Sequence, residues 1–504
     1  MSPRSALTFI GSVILALALA ACGASHGAAR AGASAATPTL ARIADHRAVP
    51  ARIPSGDWRT FDANAARSGA GPADTGITAR DLGALRRRTV ALDGVVDASV
   101  IEAAGVRVGG RRRDVVVLTT DYGRTEALDA ATGQRLWEFT PRSVARLEGG
   151  PQITTATPVL DPSGRYVYAA SPDGYIHKLV LADGRALWAT AVTHDAHHEK
   201  LAGALNLDGA ELVAETGGYD GDYPPYVGHV VTIDLANGRI THVFNTLCSN
   251  IHAIIARPGE CGQSDSAIWG RPGAVIEPNH DILVSTGNGN FNGRTDWGDS
   301  VLELSPSLRL LHNWTPANQA QLYASDRDLG STEPVLLPVR GGRRYAVQGG
   351  KDGILRLLDL NALAGGHGAA GPRTGGELQS IDAPGPTDIF SQPAVWHSSV
   401  FVADGAGTAA YRYGSDDRLH RLWENGTSGT SPVIAGGLLY VYDENAGALD
   451  VYAPSSGRRL AALPAAPGHW NSPTVIGGRI FLPVGNDNDH ATSGEMFIWR
   501  LPRR

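Results

Sequence analysis

The sequence predicts an all-β fold, and three observations carry that prediction. From residue 114 onward, one unit recurs eight times: an apolar run, a turn, a second apolar run, and an Asp-Gly, Asn-Gly or Thr-Gly pair near a tight turn. The spacing is about 50 residues, the length of a four-stranded unit with long loops. Gly 62 and Pro 30 in 504 residues favour many short strands and turns over helices. Several units close on a Trp large enough to cover a neighbouring sheet. Such sheets cannot bury both faces alone, so they stack radially. The expected architecture is an eight-bladed β-propeller of four-stranded antiparallel blades.

The chain begins with a candidate export signal. Arg4 is followed by the apolar stretch Ala6 to Ala20, shorter than a membrane-spanning helix requires. It ends in Leu19-Ala20-Ala21-Cys22, which resembles a bacterial lipobox. The resemblance implies cleavage after residue 21 and lipidation of Cys22. The protein is therefore expected to be exported and held on the extracytoplasmic face of a membrane through a lipid anchor at Cys22. Residues 22–55, rich in Ala, Gly, Arg and Pro, read as a flexible tether. Two cysteines remain, Cys248 and Cys261. In an oxidising compartment they are expected to form a disulfide, contributing about 3 kcal/mol for so short a loop. Net charge is -6 with no basic run, which argues against a nucleic-acid partner.

Residues 56–504 read as one propeller domain. The clearest unit is Val115-Val116-Val117-Leu118, then Ala127-Leu128-Asp129-Ala130-Ala131-Thr132-Gly133, then Leu136-Trp137. The Thr-Gly, Asp-Gly and Asn-Gly pairs supply the positive-φ residue of a tight turn. The last unit covers Ile480-Phe481-Leu482 to Trp499. A ring must close, so a strand within residues 83–102 is expected to complete the blade that ends at Leu501.

The run Ala127 to Trp137 resembles the repeat of the pyrroloquinoline quinone (PQQ) propeller superfamily, and Ala448 to Leu460 is a weaker copy. That superfamily includes quinoprotein alcohol dehydrogenases and also lipoprotein scaffolds of the outer-membrane assembly type. Ser266-Ala267-Ile268-Trp269-Gly270 and Ser285-Thr286-Gly287-Asn288-Gly289-Asn290 resemble the dehydrogenase run. The resemblance implies Trp269 as a platform beneath a quinone and Asn288 as a calcium ligand. Asp326-Arg327-Asp328-Leu329-Gly330 resembles the stretch holding the catalytic base. It implies Asp328 as base and second calcium-site residue, with Asp326 the other candidate. The implied cofactors are PQQ and calcium. Calcium would polarise the quinone, and the carboxylate would take a proton from a substrate hydroxyl.

The sequence also departs from that pattern. It has no adjacent cysteine pair to cover a quinone ring. Where the family has a glutamate ligand, Gly217 to Gly221 offers Tyr219, with Glu215, Asp220 and Asp222 displaced. No Cys-x-x-Cys-His is present for a fused haem. Each candidate has a structural reading too: Trp269 as blade packing, Asn288 as a turn residue, Asp326 and Asp328 as loop caps before Glu333.

Other polar clusters are His194, Asp195, His197, His198 and Glu199, read as a solvated loop, and His469-Trp470-Asn471 with Asn486 to His490, read as loops facing the central funnel. Two function classes follow. One is a cell-envelope module binding a small-molecule ligand or a protein. Its recognition face would be residues 217–228 and 288–299, with Tyr219, Tyr223, Tyr226, Phe291 and Trp297 as anchors. The other is a PQQ- and calcium-dependent alcohol or sugar dehydrogenase. The missing cysteine pair and the displaced glutamate favour the first.

Overall fold

The computed structural model describes residues 56–219, 223–256, 260–365 and 371–502. The export signal, Cys22 and the tether lie outside the described residues, as do Asp220 and Asp222. Eight antiparallel sheets follow one another along the chain. Blade 1 comprises Ile101–Val108, Arg111–Thr119, Thr125–Asp129 and Arg135–Phe139. Blades 2 to 7 occupy residues 159–191, 206–245, 275–314, 335–382, 394–425 and 433–464. Blade 4 carries a fifth strand, Ala364–Gly365, paired to His312 and Asn313. Blade 8 is the closure. Thr474–Ile476, Arg479–Val484 and Gly494–Arg500 are joined by the early strand Arg86–Leu92, in register from Arg86 opposite Arg500 to Leu92 opposite Gly494. The strand expected within residues 83–102 is this one.

The core is layered rather than central. Each blade-to-blade interface has its own apolar cluster, from blades 1 and 2 round to blades 8 and 1. Both faces of a blade are thus buried, and Val115, Val116, Val117 and Leu118 are all buried although they point alternately to opposite faces. The turn chemistry of the repeat serves this packing. Gly184 has φ +72°, and a Cβ there would lie 2.5 Å from the Trp137 ring of the preceding blade. The Trp137 indole N–H donates to Leu181 O at 2.9 Å. Trp188 on Gly238 and Trp423 on Gly457 repeat the contact. The closing Trp and the turn Gly of the repeat are therefore one interlock between neighbours.

Residues 57–72 do something the sequence did not suggest. They run across the inner strands at one end of the ring, accepting backbone hydrogen bonds from Leu160 (to Arg59 O), Ile276 (to Ala65 O), Val395 (to Ser68 O) and Ile434 (to Gly69 O). Arg67, fully buried, donates to Ala204 O at 2.8 Å and Leu205 O at 3.0 Å. This segment thus ties the innermost strands of blades 2, 4, 6 and 7 together at one end of the ring.

Candidate functional site

Two sets of loops build the funnel. One set precedes the innermost strand of a blade and supplies Asp97, Lys200, Trp269, Arg271, Asp328, Phe390, His469 and Trp470. The other follows the second strand and supplies Tyr219, Asn288, Lys351 and Asp487. Both sets emerge at the end away from residues 57–72. Together they enclose a cavity of about 460 Å³.

Trp269, Trp470 and Phe390 form its aromatic wall. Phe390 stacks on Trp470 with centroids 4.7 Å apart, and Trp269 lies 5.9 Å from Trp470 and 6.1 Å from Phe390. His469 stacks on Trp470 at 4.0 Å, and the Arg271 guanidinium lies 4.9 Å from the same ring.

Charged groups complete the lining. Lys200 Nζ is 2.6 Å from Asp487 Oδ2, and both side chains are buried. Arg271 reaches Asp97 at 3.1 Å and Asp487 at 3.7 Å. His469 Nδ1 bonds Asp97 Oδ2 at 2.5 Å. Burial pulls the His469 imidazole down, but Asp97 and Asp487 outweigh it and hold its pKa at about 9. Burial likewise opposes ionisation of Asp487, yet Lys200, His469 and Arg271 hold that carboxyl well below the usual range. Asp121, behind the pair, is pushed well up by burial and by Asp487 and Asp97.

The residues singled out in the sequence converge. Asp328 Oδ1 accepts the Asn288 backbone N–H at 2.6 Å, and Asn288 Nδ2 donates to Asp326 Oδ1 at 2.6 Å. Gly287 permits this approach: a Cβ there would lie 2.2 Å from Asp328 Oδ1 and 3.1 Å from Trp269 Nε1. Lys351 Nζ bridges Asp328 Oδ2 at 2.5 Å and Asp326 Oδ1 at 3.1 Å. Burial would lower the Lys351 pKa, but Asp328 and Asp326 raise it.

As arranged, these groups do not fit a calcium–quinone pair. Asn288 Oδ1 is buried and has no hydrogen-bond partner among the described residues, so it is an oxygen that a cation could use. The Asp328 carboxylate, however, is already taken by an ammonium and a backbone amide. The glutamate position is filled by Tyr219, whose hydroxyl donates to Ala196 O at 3.0 Å. Glu215 is buried elsewhere, accepting the Ala274 N–H, and burial pushes it up to about 8. A ring held between two others needs about 7 Å, two van der Waals contacts. Trp470 and Phe390 stand closer than that to Trp269.

Cys248 and Cys261 form a disulfide. In the run from His194 to Glu199, His198 pairs with Asp195 at 2.7 Å, while Glu199 turns inward to Thr193 and Val227 N. That run supplies no group of three ligands within reach of one ion among the described residues. Two such groups exist elsewhere, Asp97–His469–Asp487 and Asp93–Glu126–Glu138. Arg271 and Lys200 already neutralise the first, and Arg135 the second. Of the aromatic anchors expected on the loop face, Tyr226 and Trp297 are buried, while Tyr223 is 54% exposed.

Sequence reasoning missed Lys200, Lys351, Asp97, Arg271 and Phe390. A signal existed for the first two. The chain has three lysines, Lys178, Lys200 and Lys351, and two of the three line the funnel.

Comparison with known proteins agrees with the ring. Residues 90–260 match the family model described as outer membrane protein assembly factor BamB. The quinohemoprotein alcohol dehydrogenase ADH IIB of Pseudomonas putida is 24% identical over 430 residues, covering 76% of this chain but only 61% of that relative. Among solved structures, the quinohemoprotein alcohol dehydrogenase of Comamonas testosteroni superposes with TM-score 0.65 at 14% identity, covering 89% of this chain and 81% of its own. BamB from Moraxella catarrhalis superposes with TM-score 0.52 at 13% identity, covering 83% and 98%. Two functionally different kinds of protein thus share the architecture of this chain, an eight-bladed β-propeller whose residues 90–260 are similar in sequence to one of them.

Proposed function

We propose that the chain is an exported, lipid-anchored binding propeller of the cell envelope whose funnel takes a small organic ligand. The observation that carries this reading is the cavity of about 460 Å³, where an aromatic wall meets ion-paired donors and acceptors. Its size and mixed lining suit a small molecule. Lys200 and Lys351 keep donor capacity beyond their carboxylates, and Asn288 Oδ1 is an acceptor still to be satisfied. The loop face supports a protein partner less well, because two of its expected anchors are interior residues.

The quinone- and calcium-dependent dehydrogenase stands as the second reading. It is favoured by the meeting of Trp269, Asn288 and Asp328 at one point. One titration separates the two. The purified protein is titrated with PQQ, with and without calcium, and in parallel a small-molecule library is screened by thermal shift. The binding reading expects no calcium-dependent PQQ binding, and a stabilising compound whose shift disappears in Trp470→Ala. Calcium-dependent binding of PQQ that is lost in Asn288→Ala puts the dehydrogenase first.

A further inference from the structure

A second cavity of about 480 Å³ adjoins the funnel, and Phe390 and Trp470 line both. The wall between the two chambers is therefore one aromatic stack. The second chamber is built from blades 6 and 7, at the loop position that supplies Lys351 and Asp487 in blades 5 and 8. Here that position holds carboxylates. Asp404 follows the strand Ser399–Ala403, and Glu444 follows Leu438–Asp443.

Asp404 is 3% exposed. Its Oδ1 accepts Ala406 N–H at 2.7 Å and Gly407 N–H at 2.9 Å, while Oδ2 lies buried with no charged partner among the described residues. Glu444 Oε2 is also buried and unpartnered. Neither carboxyl takes part in an ion pair among the described residues. Among the described lining residues the cation is Arg327, which is bound to Asp388 at 2.6 Å and to Lys351 O at 2.8 Å. Burial pushes both Asp404 and Glu444 up, against the hydrogen bonds that Thr387 and nearby backbone amides offer Asp404 and against the charge of His469 near Glu444.

We infer that this second chamber is a subsite for an organic ammonium group, seated between Asp404 and Glu444 against the Phe390–Trp470 wall. A carboxylate withdrawn from water is stabilised by a charged donor. Aromatic walls favour an organic cation. A hard metal ion wants six or more oxygens, and Asp404 and Glu444 do not belong to either of the three-ligand groups among the described residues. The subsite shares the Phe390–Trp470 wall with the funnel but needs no ligand bound there.

The test uses benzylammonium chloride and its neutral isostere benzyl alcohol, titrated into the full-length protein by calorimetry at pH 7, with Trp fluorescence as a second readout. Benzylammonium should bind at least tenfold more tightly than benzyl alcohol. Asp404→Asn and Glu444→Gln should each weaken the ammonium about tenfold and leave the alcohol unchanged, a size set by one charge-assisted hydrogen bond. Unfolding midpoints confirm that the variants fold, and either variant alone suffices if the other does not. Nα-acetyl-lysine amide tells a free amine from a lysine on a polypeptide: a small-amine subsite binds it more weakly than benzylammonium. Equal affinity for ammonium and alcohol overturns the inference. So does retention of ammonium binding in both carboxamide variants, its loss in Lys351→Met instead, or saturation of the site by sodium or calcium in preference to the amine.

Discussion

Lys351 Nζ lies 2.5 Å from Asp328 Oδ2 and 5.4 Å from the centre of the Trp269 ring. One lysine therefore touches both residues that the sequence marks as base and platform. It makes Asp328 one half of an ion pair rather than a free acceptor. Lys351→Met leaves that carboxylate with the Asn288 amide alone and should cost about 2 kcal/mol, the scale of a lost charged hydrogen bond. Denaturant unfolding measures it, and Lys351→Arg should retain most of the difference. An unchanged midpoint in Lys351→Met would show that the pair contributes nothing.

Lys200 and Asp487 are more deeply buried, at 7% and 2% exposure. A fully uncompensated buried charge costs about 3–5 kcal/mol, and since Arg271 at 3.7 Å and His469 at 3.4 Å still face Asp487, loss of Lys200 should cost about 3 kcal/mol or less. Lys200→Met should show a loss of that order, and adding Asp487→Leu should recover much of it. If the double variant is no more stable than the single one, the destabilisation comes from packing and not from charge.

His469 ties stability to alkaline pH. Its folded pKa, about 9, is raised above the ordinary 6.5. Its contribution is therefore fully present below pH 6.5 and is lost as pH rises through 9. At 1.36 kcal/mol per unit the loss is on the order of 3 kcal/mol. Asp487 has the opposite sign: held below the ordinary value of 3.8, it contributes above that pH and loses its contribution on acidification. Melting curves between pH 6 and 10 should slope downward in the natural protein and flatten in His469→Gln. Parallel curves would remove His469 from the network.

Gly184 and Gly164 form a matched pair. Both have positive φ, +72° and +67°, but a Cβ at Gly184 meets the Trp137 ring at 2.5 Å, while at Gly164 it meets nothing within 4 Å. Gly164→Ala should cost about 1–2 kcal/mol from backbone strain alone. Gly184→Ala should cost about 1–3 kcal/mol more, because the neighbouring blade must shift. Equal losses would mean that the interlock yields without cost.

Cys248 and Cys261 are 13 residues apart in sequence, beside the small cluster Val227, Leu247 and Ile255. Replacing both with Ser should lower stability by about 3 kcal/mol. The effect should be confined to blade 3 and its loops, which hydrogen exchange would localise. Loss of protection around the whole ring would show that the clip supports closure itself.

The ring was legible because its signals are local. The turn Gly, the apolar runs and the closing Trp each specify a hairpin or an interlock within one unit, and eight copies leave one way to bury them. Trp269, Asn288 and Asp328 were legible as a group because they sit in motifs of the same kind. Their partners were not. Asp97 and His469 are 372 positions apart and meet only because Arg86–Leu92 closes the last blade. Asp326 to Leu329 announced a carboxylate, but nothing nearby announced that Lys351 of the next blade neutralises it.

The sequence by itself determined the blade, the number of blades and the strand that closes them, because strand period, turn chemistry and apolar burial act over tens of residues. Tertiary structure alone decided which charges share the funnel, that residues 57–72 bind the innermost strands of four blades, and that a second acidic chamber lies behind the Phe390–Trp470 stack. Electrostatics and cavity shape depend on distances across the ring, and ring closure sets those distances between loops that are remote in the chain.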